Sequence, residues 1–116
     1  MDNTNELHVD TGRKGKYFVV RVRDEDPGNR GDLTGLIDII RDCLENDIKT
    51  IAVSFTKSTR LYTRQIATLI RCYALVDDKG GSFAIIAPNP DLMHALDLAG
   101  IDTIINTFQA EEELPE

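Results

Sequence analysis

Residues 50–87 read TIAVSFTKSTRLYTRQIATLIRCYALVDDKGGSFAIIA, and this stretch decides the fold class. Thr50–Phe55 is apolar and β-branched, which predicts a central strand. Ile66, Leu69, Ile70, Tyr73 and Val76 recur at helical spacing, so a helix from Leu61 or Thr63 to Val76 should bury that stripe. Asp77–Gly81 is turn-like, and Ser82–Ala87 is almost continuously apolar, as in a strand covered on both sides. Strand, helix and strand in that order imply a right-handed crossover between parallel neighbours.

The same alternation extends outward in both directions. Before it, Leu33, Leu36, Ile37, Ile40, Cys43 and Leu44 fall on one face of a helix running from Asp32 to about Asn46. Still earlier, Leu7–Thr11, the glycine-flanked Gly12–Gly15 and Tyr17–Val22 read as an edge strand, a turn and a more central strand. The acidic Asp24–Asp26 lies in the loop that follows. After it, Asn89 can cap a third helix, Pro90 suits the first helical position, and Gly100 closes the end. Leu92, Ala95, Leu96 and Ala99 supply its apolar stripe. Ile104–Phe108 suggests a short last strand, and Gln109–Leu114 an acidic helical turn. The expectation is one α/β domain with a core over residues 7–114. It has a mixed sheet, an N-terminal hairpin followed by parallel strands, with helices packed mainly on one face.

At 116 residues, 41% apolar and 28% charged, the chain can bury a core and is too short for two domains. No apolar run is long enough to span a bilayer, and the polar, acidic start is the opposite of a secretory signal. Cys43 and Cys72 form no CxxC pair, and Cys43 lies on the buried stripe, so a reduced structural thiol in a cytoplasmic protein is expected. Thirteen basic against twenty acidic side chains leave a net charge of −7, which argues against nucleic-acid binding. Between Ile48 and Val76, however, stand five basic residues (Lys49, Lys57, Arg60, Arg64 and Arg71) and no acidic one. Such a run is either a solvated helix face or an interface.

Catalytic sets are missing from the sequence. There is no glycine-rich phosphate loop, nucleophile elbow or HExxH helix. His8 and His94 are far apart with no ligand partner at metal spacing, so neither an enzyme nor a metal or cofactor site is expected. A phospho-accepting receiver would need an aspartate where the chain has Ser54, Phe55 and Thr56, and a lysine where it has Ala87-Pro88. What remains is the carboxyl end of strand Thr50–Phe55 and the start of the helix after it, the usual functional address in open α/β sheets. Thr56, Ser58, Thr59 and Thr63 stand there beside Lys57, Arg60 and Arg64. Hydroxyls at a helix start either cap it or receive phosphate, whose charge the helix dipole and arginines would favour.

Leu92–Leu114, LMHALDLAGIDTIINTFQAEEEL, joins a leucine-rich helix end to Gly-Ile-Asp, a short strand and an acidic tail. With Phe83–Pro90 leading into it and the opening hairpin, the chain resembles a STAS domain, the fold of bacterial anti-sigma factor antagonists and of the cytosolic tails of sulfate transporters. The resemblance covers about Leu7 to Leu114. It implies a regulatory protein-interaction module whose partner is an anti-sigma factor or kinase-like regulator, bound beside the second helix without nucleic acid or membrane insertion. It also implies a phospho-acceptor hydroxyl flanked by aspartate and glycine. Here the ungapped alignment puts Tyr62 at the aspartate, Thr63 at the acceptor and Gln65 near the glycine. Thr63 is therefore the first phospho-acceptor candidate and Ser58 the second. Ser58, Thr59, Arg60, Thr63, Arg64 and Arg71 make up the expected partner surface. The alternatives are a domain in which Lys57, Arg60 and Arg64 hold a nucleotide or phosphorylated metabolite, and a non-switching subunit of a transporter complex.

Overall fold

The three helices all lie on one face of a five-stranded sheet whose strands follow the chain order, β1-β2-β3-β4-β5. The computed structural model describes residues 9–23, 33–57, 59 and 61–115. The elements are β1 (Val9–Lys14), β2 (Tyr17–Val22), α1 (Thr34–Glu45), β3 (Thr50–Ser54), α2 (Thr63–Asp78), β4 (Ser82–Ile86), α3 (Pro90–Leu98) and β5 (Asn106–Phe108). Single 3-10 turns, Ile101–Thr103 and Glu111–Glu113, flank the last strand. β1 pairs antiparallel with β2, and every later pair is parallel, so the sheet is mixed as expected.

Alternation along the strands sorts the core into two layers. Val20, Val22, Ile51, Val53, Phe83 and Ile85 face the helices and pack with Leu36, Ile40, Leu69, Val76 and Leu96. Val19, Ala52, Ala84 and Ile86 face the other way, with Tyr17, and are buried under Leu114 and Phe108. β4 is thus covered on both sides, as its unbroken apolar sequence requires.

Several boundaries and one helix face differ from the sequence reading. β1 continues through Gly12 to Lys14, and the turn is Gly15–Lys16. A Cβ on Gly12 would lie 2.8 Å from the guanidinium of Arg21, so this glycine makes room across the hairpin rather than ending the strand. The expected start of α1 at Asp32, the loop Asp24–Asp26 and His8 lie outside the described residues. The buried stripe of α2 is Gln65, Thr68, Leu69, Cys72 and Val76, whereas Ile70 is 39% exposed. The two buried polar side chains on this face find local partners. Gln65 Oε1 accepts from the Tyr62 amide at 3.0 Å, and the Thr68 hydroxyl donates to the Arg64 carbonyl at 3.2 Å. Ile104 is half exposed ahead of β5, and only Ile105 of that pair is buried. Ala99 is likewise exposed at the end of α3.

Candidate partner-binding surface

Phe55 extends the carboxyl end of β3 by one bond, its amide donating to the Ile86 carbonyl at 3.0 Å. The chain then turns on two threonines. The Thr56 amide donates to Thr59 Oγ1 at 2.8 Å, and the two hydroxyls lie 2.9 Å apart. Thr59 is 1% exposed, and its carbonyl accepts from Asn89 Nδ2 at 2.9 Å. The other end of the Asn89 amide caps α3, Oδ1 accepting from the amides of Asp91 at 2.9 Å and Leu92 at 3.3 Å. One buried side chain therefore caps a helix and staples the preceding loop.

This arrangement corrects the expected surface at Thr59. Its hydroxyl is consumed by the turn and its side chain is closed off, so it positions the loop and offers nothing to a partner. Ser58 and Arg60 lie outside the described residues. Thr63, Arg64 and Arg71 are all exposed on α2. Thr63 is the first helical residue, after Tyr62 in extended conformation.

α2 brings further residues to this side. Thr63, Ala67, Ile70 and Ala74 follow one exposed stripe, flanked by Arg64 and Arg71. Tyr62, 52% exposed, stands at its head. Of these, the exposed aromatic and the two arginines are residue types enriched where proteins meet. The sequence reading assigns Ile70 to the core and takes Tyr62 only as the counterpart of the family's aspartate. Ile66 and Tyr73 of the expected stripe are partly buried against the core and Leu69 and Val76 fully so; Ile70 alone turns outward, while Gln65, Thr68 and Cys72 join the inward face.

A cleft of about 530 Å³ separates this helix start from the start of α3, lined by Lys57, Leu61, Tyr62, Asn89, Asp91 and Ala95, among others. It is poorly suited to an anion. Lys57 shares the cleft with the carboxylate of Asp91, and the amides of Asp91 and Leu92 are already bonded to Asn89. A second hollow of about 450 Å³ lies near the carboxyl end of β4, with His94 exposed on its rim beside Met93, Asp97, Asp102 and Gln109. The hydrogen bond to Asp97 pushes the Asp102 carboxyl above its ordinary range. Among the described residues no three His, Cys, Asp or Glu side chains gather to hold a metal ion. Both cysteines are buried and free; burial pushes the Cys72 thiol up to about 12 and raises Cys43 as well, so neither forms a thiolate readily.

The fold has a solved counterpart. The NMR structure of a protein called TM1081 superposes with a TM-score of 0.71 over 89% of this chain and 82% of its own, at 13% sequence identity. At that identity the likeness concerns the fold alone. No protein-family model matches the chain, and no curated protein matches it. Among the described residues no helix is long and apolar enough to cross a membrane.

A second basic region lies in the hairpin. Residues 13–23 hold Arg13, Lys14, Lys16, Arg21 and Arg23 with no acidic residue, a denser basic run than the one around α2. The signal was plain in the sequence, but its hairpin setting suggested an edge strand rather than a site.

Proposed function

We propose that the protein is a STAS-type regulatory interaction module of the anti-sigma factor antagonist kind. It binds an anti-sigma factor or kinase-like regulator in the cytoplasm through the start and outer face of α2. The observation that carries this reading is the exposed stripe of Thr63, Arg64, Ile70 and Arg71, set in a segment without acidic residues on a chain of net charge −7. An acidic partner surface is steered to such a patch, and arginine's planar fork binds carboxylates through paired hydrogen bonds. Ile70 and Tyr62 supply the apolar contact that long-range charge alone lacks.

Thr63 is the hydroxyl open to a kinase, since it is exposed at the first turn, where added phosphate meets the helix dipole. Its neighbours Tyr62 and Gln65 replace the family's aspartate and glycine, and Gln65 is buried and bonded to the backbone. The proposed contact does not depend on modification. The reading is non-enzymatic. A nucleotide or phosphorylated metabolite at Lys57, Arg60 and Arg64 has less support, because the cleft that holds Lys57 also holds the carboxylate of Asp91.

The test is a pull-down from native lysate with wild type and with Arg64→Glu/Arg71→Glu. Both side chains are exposed, so the fold should survive, as circular dichroism would verify. The expected result is one partner captured by wild type, less of it at higher salt, and none by the double reversal. Equal recovery of the same partner by a folded double variant refutes the assignment.

A further inference from the structure

Opposite the three helices, the second face of the sheet is covered by the end of the chain. After β5, at one edge, the turn Glu111–Glu113 crosses towards β2, three strands away. Two anchors hold it on the sheet. The Glu111 carboxylate accepts two hydrogen bonds from Arg21, Nε to Oε2 at 2.7 Å and Nη2 to Oε1 at 3.1 Å. Leu114, 4% exposed, packs on Tyr17, Val19, Ala52, Ala84 and Ile86. The tail's remaining bonds are largely its own: the Gln109 amide to Glu113 Oε1, the Glu113 amide to the Ala110 carbonyl, and the Leu114 amide to the Glu111 carbonyl.

The floor beneath is shaped for this occupant. Ala52 and Ala84, register partners on β3 and β4, leave space that larger side chains would fill. Gly12 leaves room beside the Arg21 guanidinium, which Asp10 also holds at 3.6 Å. Arg21, with Lys14 and Arg23 nearby, lowers the Glu111 carboxyl below its ordinary range. The dense basic run of residues 13–23 thus contributes a cationic rim to an apolar slot, and an acidic segment sits in it. A 3-10 turn brings residues three apart onto one side, which is why Glu111 and Leu114 reach the two halves of the slot together.

We propose that this face is a binding site for an acidic segment of a partner protein carrying a glutamate three positions before a leucine. The chain's own tail is its resident competitor. Charge and shape select the ligand class: the arginine fork takes a carboxylate bidentately, and the slot beside it takes a branched aliphatic side chain. The turn is held by the Arg21–Glu111 pair and by Leu114 beside Phe108, and a competing segment has to replace both anchors. The site lies across the sheet from α2 and does not rest on the function proposed for that helix.

The experiment uses the full chain carrying Glu111→Gln and Leu114→Ser, and a fluorescein-labelled peptide with the sequence of Gln109–Pro115. Fluorescence anisotropy should show saturable binding at least about tenfold tighter than to wild type, whose tethered tail competes at an effective concentration on the order of millimolar. Adding Arg21→Gln should abolish it, as should the same two replacements in the peptide. Absence of saturable binding by a folded double variant overturns the proposal, and so does equal binding of the altered peptide. If the double variant does not fold, wild type decides: peptide at roughly 10 mM, above the tether's effective concentration, should move the Leu114 amide resonance towards its free position. No movement overturns the proposal, as does wild type that sediments as a tail-exchanged dimer.

Discussion

Asn89 joins two helices' worth of structure through one amide group, and replacing it has a calculable cost. In Asn89→Ala the amides of Asp91 and Leu92 lose their cap, worth about 1 kcal/mol. The Thr59 carbonyl, in a residue only 1% exposed, loses its Nδ2 donor, and an unsatisfied buried acceptor costs a further 1–3 kcal/mol, roughly. A total of about 3 kcal/mol follows, and at roughly 4 °C per kcal/mol for a domain of this size the melting temperature should fall by about 12 °C. Asn89→Ser separates the two effects. Its short hydroxyl can still cap α3 but cannot reach Thr59, so it should lose only the second part, about 2 kcal/mol. Equilibrium urea unfolding measures both, with m unchanged if the denatured state is unaffected. The expected order of stability is wild type, Ser, Ala. Asn89→Ala within about 0.5 kcal/mol of wild type would refute the reasoning, because neither a lost cap nor an orphaned carbonyl is that cheap.

Gly81→Ala should cost about 3 kcal/mol in the same assay, because the new Cβ would lie 2.2 Å from the Lys49 carbonyl oxygen, which is fixed by its bond to the Ser82 amide. Gly80→Ala, at φ 76° but with nothing within 4 Å, should cost only about 1 kcal/mol, so equal losses would contradict the steric account. Asp102→Asn should raise the melting temperature at pH 7. Asp97 lifts the Asp102 carboxyl above its unfolded value, so stability is lost as pH rises through that window and stays lower above it. The gain should vanish below about pH 3, where the carboxyl is protonated folded or unfolded, and a gain that persists there would point to packing instead.

Most of the architecture was legible because it rests on local and periodic signals. The strands from Thr50 and Ser82 announced themselves by apolar, β-branched runs, and the cap, proline and glycine of α3 marked its ends at Asn89, Pro90 and Gly100. Those features act within a few residues of the chain, so the sequence alone suffices to read them. The charge segregation behind the proposed surface on α2 is equally a property of composition.

Tertiary structure decided what depends on residues far apart in the chain. Spacing placed Leu69 and Val76 on the inward face of α2, but not Gln65 and Thr68 beside them, since those polar side chains go inside only with backbone partners. Thr59 looked like any loop hydroxyl until Asn89, thirty positions later, drew its carbonyl inside. Nothing near Arg21 in sequence reveals that its partner is Glu111, ninety positions away, or that Gly12 makes room for the guanidinium. Each of these is a pairing across the fold, and the sheet order β1-β2-β3-β4-β5 brings the partners together. Hydrophobic periodicity encodes which residues go inside, but not which polar groups meet there, because that choice is settled only when every buried donor and acceptor must be satisfied at once.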